Sequence, residues 1–402
     1  MMNSILDDPK ATINHVNSLA FNRSTGSVGE TEAAFYIRDQ LDNKKIINNF
    51  EYFGYIGPKR VLMRLTYLII ITYLLLNKLL IVIVLYFSIK YLFATARNYS
   101  FIKEESSKNL VSTIPANNRR KKRPVVILTA HYDSFSANLP YRLQNFLFFI
   151  FRIIIVPYFI IKLTISLWIL GNFIVSPNQE SFIIDLILMS SIVEFLIYFL
   201  IFFLIYNTKK SMGAIDNASG VSIIIELAKK LNEKPLENMD VIIVFTSAEE
   251  WGLIGANRFC KRNQKSLSKK YNLNKSLNIN YDMIGTYIGL LNKKSLFNRK
   301  EINQTLNKNL EDAANNLRIS IVKHSTVISP KTDHRAFLKF AKKTKTDFQV
   351  ACFHSAKDVK YIHSPRDTPD NCDVQNLNNV LEITIETLRK IDSESYPSEK
   401  IR

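Results

Sequence analysis

The chain is poor in cysteine, and its first residues do not predict an export signal. Only three cysteines occur among 402 residues, Cys260, Cys352 and Cys372. Their spacing suits neither a zinc knuckle nor a disulfide framework, so we expect a protein of a reducing compartment. The first residues, MMNSILDDPKATINHV, place acids and asparagines where a secretory signal needs an apolar core, so secretion is not expected.

Acidic residues are also scarce, which leaves the chain strongly basic. Lys and Arg number 53 while Asp and Glu number 35, so the formal net charge is +18. Such an excess is typical of proteins that meet nucleic acid or anionic lipid, and of membrane proteins with basic cytoplasmic flanks. The basic residues do not alternate with aromatics on a soluble face, so we do not expect nucleic acid as a partner.

Two long apolar tracts interrupt the polar sequence. The first covers residues 66–93 and is broken at its centre by two polar residues, which predicts a membrane-embedded hairpin, with a single 28-residue span as the alternative. The second predicts an interfacial helix over 143–156 and transmembrane helices over 158–175 and 182–206. The link between these two spans lacks Lys and Arg, whereas the other flanks are basic. The positive-inside rule therefore predicts an integral membrane protein whose soluble domain faces the cytoplasm.

A short apolar segment delivers two adjacent carboxylates to the predicted edge of a sheet. Val241–Phe245 is mostly β-branched, as in a strand covered on both faces, and Glu249 and Glu250 follow it. Open α/β sheets bind ligands at such strand ends. The segment from Ser247 also predicts the start of a helix, in which case a glutamate would only complete a capping box with this serine.

Further acids and histidines stand beside other predicted strands and helices. His131 and Asp133 follow a second buried apolar segment, Asp282 follows a third, Asp216 precedes an amphipathic helix, and His363 lies in a turn. With Glu250 counted among them, four of the five candidate ligands have an ordinary local explanation as a hydrogen-bonded histidine, a helix cap or a turn residue. Local structure does not explain why all of these residues occur together. Imidazole and carboxylate groups are ligands that suit a pair of Zn²⁺ ions.

These segments resemble the motifs of the M28 zinc aminopeptidases. The matching stretches are HYDS at His131, DNASG at Asp216, EEWGLIGA at Glu249, DMIG at Asp282, TDH at Asp333 and HSPRDT at His363. The stretch NRSTGSVGETEAA, from Asn22 to Ala34, is similar to the first helix of that family. The resemblance implies an α/β fold with a mixed, mostly parallel sheet sandwiched by helices, here with inserted membrane helices.

The same resemblance implies a role for each site residue. His131 and Asp282 would hold one zinc, Glu250 and His363 the other, and Asp216 would bridge the two. Glu249 would be the general base that activates a metal-bridging water, Asp133 would orient His131, and Asp367 would act in the same way near His363.

We interpret the chain as a peptidase domain with two membrane inserts. The domain would comprise residues 1–60, 99–135 and 211–402, the hairpin insert residues 61–98, and the insert with two transmembrane helices residues 136–210. The expected partners are a peptide substrate and a lipid bilayer, whereas the sequence leaves the oligomeric state open.

The resemblance implies a membrane-bound di-zinc metallopeptidase, with an aminopeptidase as the first expectation. It leaves the side-chain preference of the substrate and the choice between amino- and carboxypeptidase open. A glutaminyl cyclase of the same fold, with a single zinc, is one alternative. A non-catalytic membrane receptor or scaffold that kept the fold is another. The metal content would distinguish the three readings, as two, one or no zinc ions per chain.

Overall fold

The computed structural model describes residues 8–57, 105–118, 120–149, 210–294, 304–326 and 331–395, with scattered positions between 66 and 203. By its internal contacts the chain divides into two compact units. One comprises Met1–Tyr55, Ser106–Ser136 and Lys210–Arg402, and the other Ile56–Glu105 and Ala137–Lys209. The predicted insert boundaries at residues 61–98 and 136–210 stay predictions.

The first unit begins with two helices and an edge strand: α1 (Ala11–Leu19), α2 (Val28–Asp42) and β1 (Asn48–Tyr55). The start of α2 is capped by Ser27, whose side chain accepts from the Glu30 amide, while the Glu30 carboxylate accepts from the Gly26 amide at 2.6 Å, one residue before the cap. The apolar positions that predicted this helix are all buried, which confirms the prediction: Ala33, Ala34, Ile37 and Leu41.

The other described helices and strands follow along the chain, and the helix at residues 141–149 belongs to the second unit. In chain order they are β2 (Glu105–Ile114), β3 (Val125–His131), α3 (Tyr141–Phe149), α4 (Ser219–Glu233), β4 (Asp240–Thr246), α5 (Ile254–Lys270), β5 (Leu277–Tyr281), β6 (Gly289–Lys294), α6 (Gln304–Asn316), β7 (Val322–Thr326), α7 (His334–Thr344), β8 (Gln349–Phe353) and α8 (Val374–Ser395).

The eight strands form one mixed sheet in the order β1-β2-β4-β3-β5-β8-β6-β7. The central strands β4, β3, β5 and β8 are parallel, and β6 is parallel to β7, while the β2–β4 and β6–β8 pairs are antiparallel. In the register of β3 with β4, His131 lies opposite Thr246. The loops after the central strands therefore leave the sheet at one edge, and the predicted mixed, mostly parallel α/β sheet is confirmed.

Both faces of the central sheet are covered by helices, which explains the unbroken apolar runs of β3 and β4. Every residue of these two strands is buried. On one face, α5 and α7 pack on the sheet through an apolar cluster that includes Phe259, Phe337 and Phe340. Helix α4 packs against β3 and β5, and α1 and α8 pack against α4.

The sequence prediction of inserted membrane helices is wrong for the part of the chain that the structure describes. No helix there is both long and apolar enough to cross a membrane. Helix α8 has 22 residues, but charged side chains recur along it, whereas a span needs about 20 consecutive, predominantly apolar residues. We therefore correct both the membrane helices and the assignment as an integral membrane protein facing the cytoplasm. Apart from a few positions, the tracts 66–93, 158–175 and 182–206 lie outside the described residues.

The predicted helix start at Ser247 is also wrong. Helix α5 begins at Ile254, and its first turn has no side-chain cap. The Ser247 hydroxyl instead donates to the carboxylate of Glu30 on α2. Glu249 and Glu250 therefore lie in a loop between β4 and α5, where their side chains are not used for capping.

Candidate metal centre

Five ligand-type side chains from five separate segments meet at the edge of the sheet where the central strands end. His131 is the last residue of β3, and Asp282 follows β5 directly. Glu250 lies in the loop after β4, and Asp216 lies with non-helical dihedral angles in an irregular turn, Ala214–Ala218, just before α4. His363 comes from the loop between β8 and α8 and has left-handed backbone geometry, with φ of 57°.

Asp216, Asp282 and His131 form the first of two groups, which we call the His131 group. The Nε2 atom of His131 lies 3.1 Å from Oδ1 of Asp216 and 3.8 Å from Oδ1 of Asp282. The second, the His363 group, consists of Asp216, Glu250 and His363. Here Nε2 of His363 lies 3.3 Å from Oδ2 of Asp216 and 3.2 Å from Oε2 of Glu250.

Asp216 belongs to both groups and presents a different oxygen to each histidine. Within each group the potential ligand atoms lie within 4.8 Å of one another. Asp216 is therefore not the helix cap that was its local alternative. The capping position of α4 is occupied by Ala218, and no side chain there makes a capping hydrogen bond.

The composition of the two groups fits divalent cations. The donors are imidazole nitrogens and carboxylate oxygens, which zinc accepts as ligands. One oxygen of Glu249 and one of Glu250 are buried without a hydrogen-bond partner among the described residues. Buried carboxylates without partners are costly, and bound cations would offset that cost.

The histidines lie in a strongly negative environment. Burial by itself lowers the pKa of His363, but the carboxylates of Glu250 and Asp216 outweigh it and raise the pKa to about 10. The carboxylates around His131 raise its pKa well above the ordinary value in the same way. Burial alone would raise the pKa of Asp216, but both histidines hold it below its ordinary value. The same negative potential would attract a metal cation.

Glu249 lies beside both groups, and His131 and Glu250 are among its electrostatic neighbours. The side chain is buried, with 7% of the residue exposed, and the main-chain amide of Glu249 donates to Oδ1 of Asp133 at 3.2 Å. Burial raises the pKa of the Glu249 carboxyl well above its ordinary value, and the nearby carboxylates of Glu250 and Asp282 add to the rise. A carboxylate in such a place has the affinity for protons that a general base needs.

Asp133 contacts His131 mainly through its main chain. The Nδ1 atom of His131 lies 3.0 Å from the carbonyl oxygen of Asp133 and 3.6 Å from its carboxylate. The carboxylate accepts from the Thr25 hydroxyl at 2.9 Å and from the Glu249 amide. Asp133 therefore joins the β3 loop to the loop that carries Glu249.

Asp367 contacts the main chain of the Asp216 turn. Its Oδ1 atom accepts from the Ile215 amide at 2.6 Å. Burial, followed by the negative charge of Asp216, raises the pKa of Asp367 to about 7. The prediction that this residue orients His363 stays a prediction, and the contact that the structure describes holds the main chain beside the shared ligand.

Two buried residues next to the site had no assigned role in the sequence analysis. Asp333 precedes α7 and accepts a hydrogen bond from the Thr246 hydroxyl at the end of β4. Burial raises the pKa of Asp333 to about 7. Arg23 lies in the loop before α2 and donates to the main chain of two ligand-bearing segments. The TDH and NRSTG stretches pointed to both residues, but local sequence does not indicate which distant groups they contact.

An aromatic pair borders the His363 group. The Phe135 ring packs edge-to-face on the ring of His363 at 5.0 Å and on that of Trp251 at 5.5 Å, measured between centroids. Both aromatic residues are partly exposed. They form an apolar border next to the potential ligands.

We next compared the chain with known protein families and with related sequences. Residues 202–388 match the family model of peptidase family M28. Over 76 residues, 19% of this chain, the sequence is 38% identical to aminopeptidase YwaD of Bacillus subtilis (strain 168). The aligned part spans only 16% of that relative.

Two solved structures share the fold over nearly the whole chain. The zinc aminopeptidase BSAP of Bacillus subtilis has a TM-score of 0.54 at 12% identity, covering 96% of this chain and 95% of that one. The glutaminyl cyclase of Fimbriiglobus ruber has a TM-score of 0.57 at 12% identity, covering 95% of both chains. At these identities the likeness shows the fold alone. The family-model match therefore leads to one assignment: residues 202–388 of this chain match peptidase family M28.

Proposed function

We propose that the protein is a zinc aminopeptidase that uses two metal ions to hydrolyse the first peptide bond of its substrate. The observation that carries the proposal is the position of Asp216, which offers one carboxylate oxygen to each of two ligand groups. A site for a single ion would not need a carboxylate shared in this way. The names of the relatives, an aminopeptidase and a zinc aminopeptidase, support the choice of substrate class.

The ligand assignment follows the two groups. His131 and Asp282 would hold one zinc, Glu250 and His363 the other, and Asp216 would bind both. When bound, the zinc ions would supply Lewis-acid polarisation of the peptide carbonyl and would acidify water at the site.

Glu249 would move the proton in this reaction. Its carboxylate would take a proton from the attacking water and then deliver it to the nitrogen of the leaving amine, acting first as base and then as acid. Its buried position raises its affinity for that proton, and the hydrogen bond from its amide to Asp133 fixes the loop that carries it.

A glutaminyl cyclase is the second candidate, because a protein of that name shares the fold with a TM-score of 0.57. That reading requires a single zinc. Each of the two ligand groups has three potential ligands, which favours two zinc ions. A non-catalytic receptor or scaffold is the third reading, and the buried Glu249 beside the ligands argues against it.

The test is to purify the full chain, measure zinc per chain, and assay aminoacyl, dipeptide and N-terminal glutaminyl substrates. We expect two zinc ions and release of the N-terminal residue. A single zinc with cyclisation of glutaminyl peptides would support the cyclase. No zinc and no turnover would contradict both enzymes.

A further inference from the structure

Arg23 is a completely buried arginine whose hydrogen bonds go to main-chain carbonyl groups. Its residue exposure is 0%, and its guanidinium donates to the carbonyl oxygens of Leu19, Phe21, Tyr132, Met212 and Gly213. Burial lowers the pKa of Arg23 to about 10, so the group stays charged at neutral pH. A planar fork of five N–H donors is suited to binding several carbonyls in fixed positions.

Two of these contacts join the segments that carry a ligand of the His131 group. The Nε atom donates to the carbonyl of Tyr132, which directly follows His131, at 2.8 Å. The Nη2 atom donates at 2.8 Å to the carbonyl of Gly213, just before the turn that contains Asp216. A single rigid group therefore connects the two segments whose side chains approach within 3.1 Å.

The main chain of Arg23 strengthens this connection. Its amide donates to the Ser134 hydroxyl at 2.9 Å, and its carbonyl accepts from the Ser134 amide at 3.1 Å. The loop before α2 is thus joined to the β3 loop by main-chain as well as side-chain contacts.

Gly213 allows the guanidinium to approach the Asp216 turn. Its φ of 62° is in the left-handed region that favours glycine, and a Cβ atom built there would lie 2.8 Å from Nη2 of Arg23 and 2.7 Å from Cβ of Ser134. The carbonyl of Gly213 also accepts from the amide of Ala218 at 3.0 Å, so it closes the turn around Asp216. A change at Gly213 can therefore disturb the contact without changing Arg23.

We propose that Arg23 is a positioning residue that sets the spacing between His131 and the shared ligand Asp216, and through it the affinity for the metal pair. This inference rests on the proposed zinc site. Arg23 touches neither substrate nor ligand atoms in this role. It acts by holding the carbonyls of Tyr132 and Gly213 at a fixed separation.

The test uses Arg23→Lys and Arg23→Gln, with Arg38→Gln on the exposed face of α2 as the matched control. Loss of a group that supports metal ligands typically lowers metal affinity by about 10- to 100-fold. We expect a fall of this size in zinc affinity, measured by chelator competition, because Lys cannot reproduce the planar fork. The control should bind zinc as the unaltered protein does.

Hydrogen exchange of the metal-free protein provides a readout that does not depend on zinc. We expect faster exchange of the amides in residues 213–218 in both Arg23 variants, but not in Arg38→Gln. Gly213→Ala should produce the same changes, and it keeps the inference testable if Arg23→Gln fails to fold.

Unchanged zinc affinity and unchanged exchange in Arg23→Lys and Gly213→Ala would overturn the inference, even if both variants melted at lower temperature. A lower melting temperature alone would mean general support of the fold. If the unaltered protein bound no zinc, the proposed function and the metal part of this inference would both be wrong. Hydrogen exchange would then still show whether Arg23 joins the segments that carry Tyr132 and Gly213.

Discussion

At the scale of single residues, Asp216 is the side chain on which both ligand groups depend. It lies 3.1 Å from the nearer nitrogen of His131 and 3.3 Å from that of His363, with one oxygen toward each. Replacing it therefore affects two sites at once, whereas a change at Asp282 or Glu250 affects one group directly.

We predict that Asp216→Asn lowers zinc occupancy at both positions. The amide removes the negative charge that two cations would share and leaves one neutral oxygen as a weaker ligand. Zinc per chain after dialysis against a weak chelator should fall from two to well below one. Asp39→Asn, an exposed change on α2, is the control. Two tightly bound zinc ions in Asp216→Asn would rule out the bridging role.

Glu249 should have a different signature, because it lies beside the ligands and is not assigned to a metal. Glu249→Gln preserves the shape of the side chain but cannot take up a proton. We predict that zinc content stays at two while kcat for an aminoacyl substrate falls by about 10²- to 10⁴-fold, the usual contribution of a positioned acid or base. Glu386→Gln on the exposed side of α8 is the control. A native kcat in the variant would contradict the assignment.

At the scale of elements, the close approach of α5 to the sheet holds the loop that carries Glu249 and Glu250. Gly255 lies in the first turn of α5, and a Cβ atom there would lie 2.3 Å from the carbonyl oxygen of Ser247 and 2.5 Å from the side-chain oxygen of Asn109. The side-chain nitrogen of Asn109 also donates to the carbonyl of Gly255 at 3.0 Å. The helix can start this close to β4 only because position 255 has no side chain.

We predict that Gly255→Ala destabilises the protein despite the better helix propensity of alanine. That propensity contributes about 1 kcal/mol. Overpacking against main chain typically costs about 1 to 3 kcal/mol, and this contact is far shorter than van der Waals distance. Urea unfolding should show a lower free energy of unfolding. Ser268→Ala, exposed on the same helix, should be neutral or slightly stabilising. A more stable Gly255→Ala would contradict the close packing.

At the scale of the whole molecule, a buried ion pair ties the amino end of β4 to neighbouring segments. The carboxylate of Asp240 accepts from Nη2 of Arg123 at 2.9 Å, from the Tyr271 hydroxyl at 2.9 Å and from the Ala116 amide at 2.9 Å. Burial alone would raise the pKa of Asp240, but these hydrogen bonds, led by that from Arg123, hold it below the ordinary value.

This lowered pKa predicts a dependence of stability on pH. A carboxyl whose folded-state pKa is depressed adds stability that is fully present above its unfolded value, about 3.9, and is lost as the pH falls through the folded-state value. The free energy of unfolding should therefore differ most between the unaltered protein and Asp240→Asn at neutral pH, and the difference should shrink below about pH 4. Asp347→Asn, at an exposed position, is the control. A difference that is constant between pH 7 and pH 3 would contradict the prediction.

The sequence identified the central strands and predicted candidate site residues after them, because both inferences depend on short-range patterns. Buried parallel strands need uninterrupted apolar residues, and their loops leave the sheet at a common edge. The segments before His131 and Asp282 could therefore be recognised without knowing what surrounds them. The apolar tracts illustrate the limit of the same method. A run of apolar residues indicates local hydrophobicity only, and the described helices include none that could cross a membrane.

Only the tertiary structure decided which groups face one another. Local sequence is compatible with Ser247 and Asp216 as helix caps. In the structure, however, Ser247 donates to Glu30, and Asp216 lies between two histidines. Arg23 and Gly213 are 190 positions apart in the chain, yet they are joined by a 2.8 Å hydrogen bond. Contacts between distant segments depend on the strand order and on close approach at glycine, and neither is encoded in the spacing of nearby residues.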